Sequence, residues 1–406
     1  MSTKFTQHPK ILNLVNQIPE GKVYSDIVDA EGNQYVDLVQ EGGGVLGIAL
    51  VGYTYILEKA GIRFMSLAGT SAGAINTMMM AGLGEIQEKK SEKILTLLSN
   101  QDLFDLVDGH RSIRKVINKV IKKEKGIIWL LLWNARRIFN TMKKKLGLNP
   151  GTYFEDWITR ELSNNDIHTI NDLMELRKKL PEGLKYTVDN SSVTNIEAKL
   201  AIISSDITTH TKAEFPKMKE LYWKDSENVS PAKLVRASMS IPYFFEPFVV
   251  NDIPLAGEEN NPAWDNYARY FGPIPPSVKF VDGGMLSNFP IDVFHRKDGG
   301  KPRMPTFGAR LSTYRETYSE TDSPMSMSMA MVSTMRQIHD YDFLLKNPDF
   351  KLLICRIDAD QKFNWLDFNM TKEQQIDLFI LGAEKALEFL NGFDWLDYKG
   401  KRAKVS

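Results

Sequence analysis

Apolar and polar positions follow two rhythms along the chain: short apolar runs that end in glycine clusters, and longer stretches of helical period. Tyr35–Gln40 predicts a strand, Val45–Lys59 a helix closed by Gly61, Arg63–Ala68 a second strand, and Ala74–Ala81 a second helix. Strand, glycine turn and helix, repeated in that order, predict a parallel sheet with right-handed crossovers. From about 85 to 180 the pattern is helical and polar. Beyond it, Lys199–Ser204, Val278–Asp282, Thr306–Leu311 and Lys351–Ile357 read as strands and Pro231–Met239 as a helix. Asn251–Ser277, rich in proline and aromatics, reads as a long loop. The last long element, Thr371–Leu390, opens with a Thr371/Gln374 capping box and carries Ile376, Phe379, Ile380, Ala383, Ala386, Leu387 and Leu390 at helical spacing. The expectation is one α/β domain over 35–395 with a mostly parallel, helix-flanked sheet. A polar extension over 1–34 precedes it, a helical insertion over 85–180 interrupts it, and a tail over 396–406 follows.

Composition changes this picture in three places. The 406 residues hold 51 Lys plus Arg and 51 Asp plus Glu, so the overall charge gives no reason to expect nucleic acid as a partner. The single cysteine, Cys355, lies in an apolar strand-like run; this excludes an intrachain disulfide and predicts a buried structural thiol in a reducing compartment. The start of the chain has no apolar stretch of signal-peptide length, and no run of 18 or more apolar residues occurs, so a soluble, cytoplasmic protein is expected. The balanced charge is uneven locally: Arg114–Lys145 holds eleven basic residues and one acid, a net +10. Embedded there is Ile127–Trp133, seven apolar residues with Trp129 and Trp133, followed by Arg136 and Arg137. It is too short to span a bilayer, but it suits an interfacial helix resting transiently on anionic lipid; the plainer reading is a core helix with solvated ends. The methionine-rich Met325–Met335 reads as malleable core or pocket lining.

Three glycine motifs carry candidate chemistry. Gly69-Thr70-Ser71-Ala72-Gly73 fits G-x-S-x-G between a predicted strand and a predicted helix, the context of a nucleophile elbow whose helix aims its first amides at the reacting centre. Gly42-Gly43-Gly44-Val45-Leu46-Gly47 follows the preceding strand, where consecutive glycines let backbone amides face an oxyanion. It lacks the Lys-Ser/Thr ending of a phosphate loop and the spacing of a dinucleotide fingerprint. Asp282, at the end of a strand and before Gly283 and Gly284, supplies a carboxylate base; C-terminal strand ends of a parallel sheet share one edge, where Asp282 and Ser71 are expected to meet. A Ser71–Asp282–His339 triad is the rival, in the chain order of α/β-hydrolases, but too little sheet separates Gly44 from Ser71 for that fold, and His339 lies in a helical stretch. The Asp358/Asp360 pair lacks the ligand series of a calcium loop, and the sequence calls for no metal or cofactor.

Taken together, G-G-G-x-x-G, G-T-S-A-G and D-G-G resemble the patatin-like phospholipase family. Ala237-Ser238-Met239-Ser240-Ile241-Pro242, with Phe245 and Pro247, and Asn288-Phe289-Pro290 are similar to further segments of that family. The resemblance implies a three-layer α/β sandwich in which Ser71 is the nucleophile, Asp282 its partner without a histidine, and the Gly42, Gly43 and Gly44 amides the oxyanion hole. It implies hydrolysis of phospholipid or other lipid acyl esters through an acyl-enzyme, with no cofactor. Acyl transfer or thioester hydrolysis would use the same dyad, and a non-catalytic lipid-binding protein would not need it. Two positions depart from the family: Leu46 stands where Arg or Lys is frequent, and Glu41 where Asp is frequent.

Overall fold

The computed structural model describes residues 2–121, 127–295, 302–313, 318–319 and 321–403; the side chains of 120–121, 127–133, 324–325, 328–329, 332 and 339 lie outside that description. The Trp129 and Trp133 side chains and the His339 ring therefore lie outside it as well.

The expected strand–turn–helix units are present. Strand β1 (Gln34–Gln40) leads to helix α1 (Gly47–Lys59), and strand β2 (Ile62–Thr70) to helix α2 (Ala72–Gly82). The insertion then supplies α3 (Ser91–Asn100), α4 (Arg111–Ile121), α5 (Ile127–Lys145) and α6 (Thr152–Ser163). The chain returns to the sheet with β3 (Leu200–Asp206) and β4 (Thr211–Phe215), passes through α7 (Pro231–Ser238), and adds β5 (Phe248–Asn251) and β6 (Ser277–Asp282). It closes with β7 (Thr306–Arg310), α8 (Pro324–Lys346), β8 (Ile354–Arg356) and α9 (Lys372–Gly392). The result is a three-layer α/β sandwich whose central sheet runs β8-β7-β1-β2-β3-β6-β5, with β4 on β3 and the short strand Ile27–Val28 on β1. The long loop expected over Asn251–Ser277 holds one short helix, Pro262–Ala268, that buries Trp264.

From β8 to β3 all pairings are parallel, and β2 is buried along its whole length, as a central strand covered on both faces must be. Strand β6 breaks the expected direction, running antiparallel to both of its neighbours, β3 and β5. Asp282 therefore does not reach the site by sharing a C-terminal edge with β2. Register brings it there instead: Asp282 pairs with Ser204, next to Ile203, and Ile203 pairs with Thr70. On the other side Gln40 pairs with Gly69, which sets the glycine loop beside the end of β2.

Helices α1 and α9 pack against each other through glycine. A Cβ on Gly52 would run into the Phe379 carbonyl, and one on Gly382 into that of Ala49. The α9 capping box forms as the sequence predicts: the Thr371 amide donates to Gln374 Oε1 at 2.9 Å and the Gln374 amide to Thr371 Oγ1 at 3.2 Å. The first 34 residues are continuous with this core: Phe5 and Ile11 are buried, and the Phe5 ring meets Phe379 edge-on at 5.7 Å. Near the other end, the Trp395 indole donates to Asp26 at 2.7 Å. Cys355 is buried, and burial pushes its thiol far above the ordinary range.

Candidate active site

Between β2 and α2 the chain turns through one residue. Ser71 has φ 52° and ψ −116°, a conformation costly for any residue with a Cβ. It is held from outside: the Ser71 amide donates to the Ser238 hydroxyl at 2.9 Å, and that hydroxyl donates to the Ile203 carbonyl at 2.5 Å. The Thr70 hydroxyl anchors the turn to the Ser287 carbonyl at 3.0 Å. A Cβ on Gly69 would strike the Gly73 backbone and one on Gly73 the Gln40 carbonyl, and Gly47 packs on Ala72, where an added Cβ would lie 3.2 Å from the alanine's. Ser71 is only 5% exposed.

Asp282 ends β6 and accepts from the Gly284 amide at 2.7 Å, while its own amide donates to the Ser240 carbonyl at 2.8 Å. Gly283 lets the chain pass close to the Ile203 carbonyl. The Ser71 side chain lies within hydrogen-bonding reach of the Asp282 carboxyl. Burial raises the pKa of that carboxyl; the Arg336 guanidinium, the Ser71 hydroxyl and the Gly284 amide pull it back, but burial prevails.

The glycine loop closes on the serine: a Cβ on Gly42 would sit 3.1 Å from the Ser71 Cβ and 2.6 Å from Asn288 Oδ1. Its three amides are not equivalent. The Gly42 amide, one of the three expected at the oxyanion hole, donates to the Asn288 carbonyl at 3.0 Å and so is occupied. Among the described residues the Gly43 and Gly44 amides donate to no protein acceptor. Gly44 has φ 54° and lies against the Trp365 carbonyl, so only glycine fits.

Glu41 and Asn288 hold this loop. Glu41, buried, accepts from the Leu311 and Ser312 amides at 2.6 and 2.8 Å and from Asn288 Nδ2 at 3.0 Å; burial pushes its pKa up. Asn288 Nδ2 also reaches the Gly42 carbonyl at 3.2 Å, and its Oδ1 accepts from Arg336 at 2.8 Å. Leu46 is buried and apolar, so the cation near the dyad is Arg336, carried by α8. No sequence motif marks Arg336, and the A-S-x-x-x-P segment hid the role of Ser238 as the hydrogen-bond partner of the elbow.

From Ser71 an apolar pocket opens, with about 770 Å³ of empty space including its mouth. Its wall combines α1 and α2 (Ile48, Met79) with the insertion (Ile94, Leu98, Phe154, Trp157). None of the described side chains of α5 lines it; Arg136 and Arg137 are exposed on α5, where Arg137 donates to the Ser112 hydroxyl at 2.8 Å.

The family model for patatin-like phospholipase matches residues 38–295. The chain belongs to the patatin-like phospholipase family. Its members are lipid acyl hydrolases, so lipid esters are the substrate class that comes with membership. The chain is also 27% identical over 359 residues to the uncharacterized protein YqhO of Bacillus subtilis (strain 168), covering 88% of this chain and 98% of that one. Among solved structures, VipD from Legionella pneumophila aligns at 15% identity and a TM-score of 0.37, over 93% of this chain and 72% of that one. The span that matches this phospholipase family holds the glycine loop, Ser71, Ser238, Asp282 and Asn288, and it ends before α8 and Arg336.

Proposed function

We propose that the protein hydrolyses acyl esters of phospholipids or lysophospholipids through a Ser71–Asp282 dyad. Ser71 Oγ attacks the ester carbonyl while its proton passes to Asp282. The Gly43 and Gly44 amides and the start of α2 face the oxyanion that forms. Its collapse expels the alcohol, which takes the proton from Asp282 and leaves an acyl-serine. Asp282 then deprotonates a water, which releases the fatty acid and restores Ser71. The observation that carries this reading is a serine at positive φ, within reach of a buried carboxyl, at the mouth of an apolar pocket.

The domain over 35–395 belongs to the same reading, supported by β7, β8 and α9, which complete the sheet and core beyond the matched span, and the first 34 residues join its core through Phe5 and Ile11. So does a peripheral, cytoplasmic setting, supported by the lone buried thiol, and membrane contact through α5, supported by the exposed Arg136, Arg137 and Phe139. No helix among the described residues is long and apolar enough to cross a membrane.

A fluorophosphonate probe followed by peptide mass spectrometry tests the dyad. Labelling is expected at Ser71, with Ser71→Ala unlabelled and inactive on a panel of phospholipids and lysophospholipids; hydrolysis that survives in Ser71→Ala would overturn the assignment. Adding an acceptor alcohol to the same assay separates hydrolysis from acyl transfer.

A further inference from the structure

Helix α8 is amphipathic the wrong way round. Its polar face turns inward, where Ser333, Arg336, Gln337 and Asp340 line a polar pocket beside Gly42, Gly43 and Asn288. Asp340 anchors that face, accepting from the Ser287 hydroxyl at 3.1 Å and the Phe289 amide at 2.9 Å. The opposite face is open and apolar from Met327 to Ile338, with the exposed Asp342–Lys346 ion pair lying before Leu345: Met327, Met331, Met335, Ile338 and Leu345 are 52%, 58%, 46%, 62% and 58% exposed. At 3.6 residues per turn these five positions fall within a sector of about 80°, centred opposite Asp340. The reading of Met325–Met335 as core or pocket lining therefore fails at Met327, Met331 and Met335.

We propose that this outer face of α8 docks the protein on an anionic phospholipid surface. Three observations select that occupant. The face lies one helix diameter, roughly 10 Å, from the pocket wall beside the dyad, so a docked bilayer brings ester-bearing lipids to the site. The stripe runs at Leu345 into a groove that carries the exposed cations Lys351 and Arg356 beside Ile354, and apolar side chains with adjacent positive charge are what an anionic interface binds. Methionine and isoleucine insert among acyl chains without leaving a buried polar group unpaired, and a methionine side chain adapts its shape to a fluid surface. The inference rests on the reading of the site as a lipid acyl hydrolase for its purpose, but not for its measurement.

Docking is measured on the full chain carrying Ser71→Ala, so that the vesicles are not consumed. Co-sedimentation with vesicles of phosphatidylglycerol and phosphatidylcholine should fall at least tenfold when Met331→Glu and Ile338→Glu are added, and should hold for Met331→Leu with Ile338→Leu. With Ser71 intact, the glutamate pair should lose at least tenfold in hydrolysis of vesicle phospholipid while a monomeric short-chain nitrophenyl ester is cleaved within twofold of the parent rate, which shows an intact site. Unchanged vesicle binding in the glutamate pair overturns the proposal. So does light scattering that finds a dimer without lipid which the same pair splits, because a second copy would then cover the stripe. Vesicle binding that depends on the stripe, in a chain that cleaves no ester, would instead refute the dyad and leave the docking face standing.

Discussion

At position 71 a side chain is held in a conformation that an unconstrained serine avoids, and the Ser238 hydroxyl and Ile203 carbonyl are what hold it. Ser238→Ala leaves the Ser71 amide buried without an acceptor, at a cost of about 1–3 kcal/mol. The expected outcome is a lower unfolding midpoint in urea together with a loss in kcat larger than any change in KM. Asp282 faces the opposite conflict, because the burial that makes it a usable base also disfavours its charge. The ionised form must take the serine proton, so activity falls as pH drops through the raised pKa; the acid limb of kcat/KM should lie above the usual aspartate value of about 3.9. Stability runs the other way. A carboxyl whose pKa is higher folded than unfolded favours the fold below its unfolded pKa, and that contribution is lost as pH rises through the folded one. Asp282→Asn should therefore lose roughly 10²–10⁴-fold in activity yet melt at a higher temperature than the parent at pH 7, with the gain vanishing near pH 3. A pH series of thermal melts on both proteins checks the sign.

Among the elements, the insertion helices bear on substrate choice. Ile94, Leu98, Phe154 and Trp157 come from α3 and α6, so part of the pocket wall is supplied from outside the strand–turn–helix units that carry Ser71 and the glycine loop. Leu98→Trp narrows that wall while leaving Ser71 and Asp282 in place. Its kcat/KM should fall at least tenfold for long-chain esters and stay within about twofold for butyryl esters, at about 1–3 kcal/mol per excluded methylene. The α1–α9 pair is the matching test of stability. Its closeness depends on Gly52 and Gly382, whose Cα atoms abut the partner helix backbone. Gly382→Leu overpacks this contact and should cost at least 1–3 kcal/mol, read as a lower denaturant midpoint. Because α1 begins at the end of the glycine loop, the ester rate of that variant should fall before global unfolding.

Across the whole molecule, residues far apart in sequence complete one core. Phe5 packs on Phe379, Trp395 reaches Asp26, and β7 pairs with β1 beyond the family-matched span. A chain cut after residue 371 would expose the apolar face of α1 and should be recovered as aggregate; soluble, active protein would count against α9 as part of the core. What the sequence determined by itself is local: glycine spacing marked the elbow and the loop, because only residues without a Cβ fit there, and apolar period marked β1, β2, α1 and α9. The Thr371 capping box was equally legible, since its partners are three residues apart. Only tertiary structure decided the direction of β6, since an antiparallel strand and a parallel one bury the same apolar side chains. It alone decided that the Gly42 amide is taken by Asn288, that Arg336 faces Asp282, and that the methionines of α8 look outward. Those outcomes depend on which distant surfaces meet, and no short window of sequence encodes such meetings.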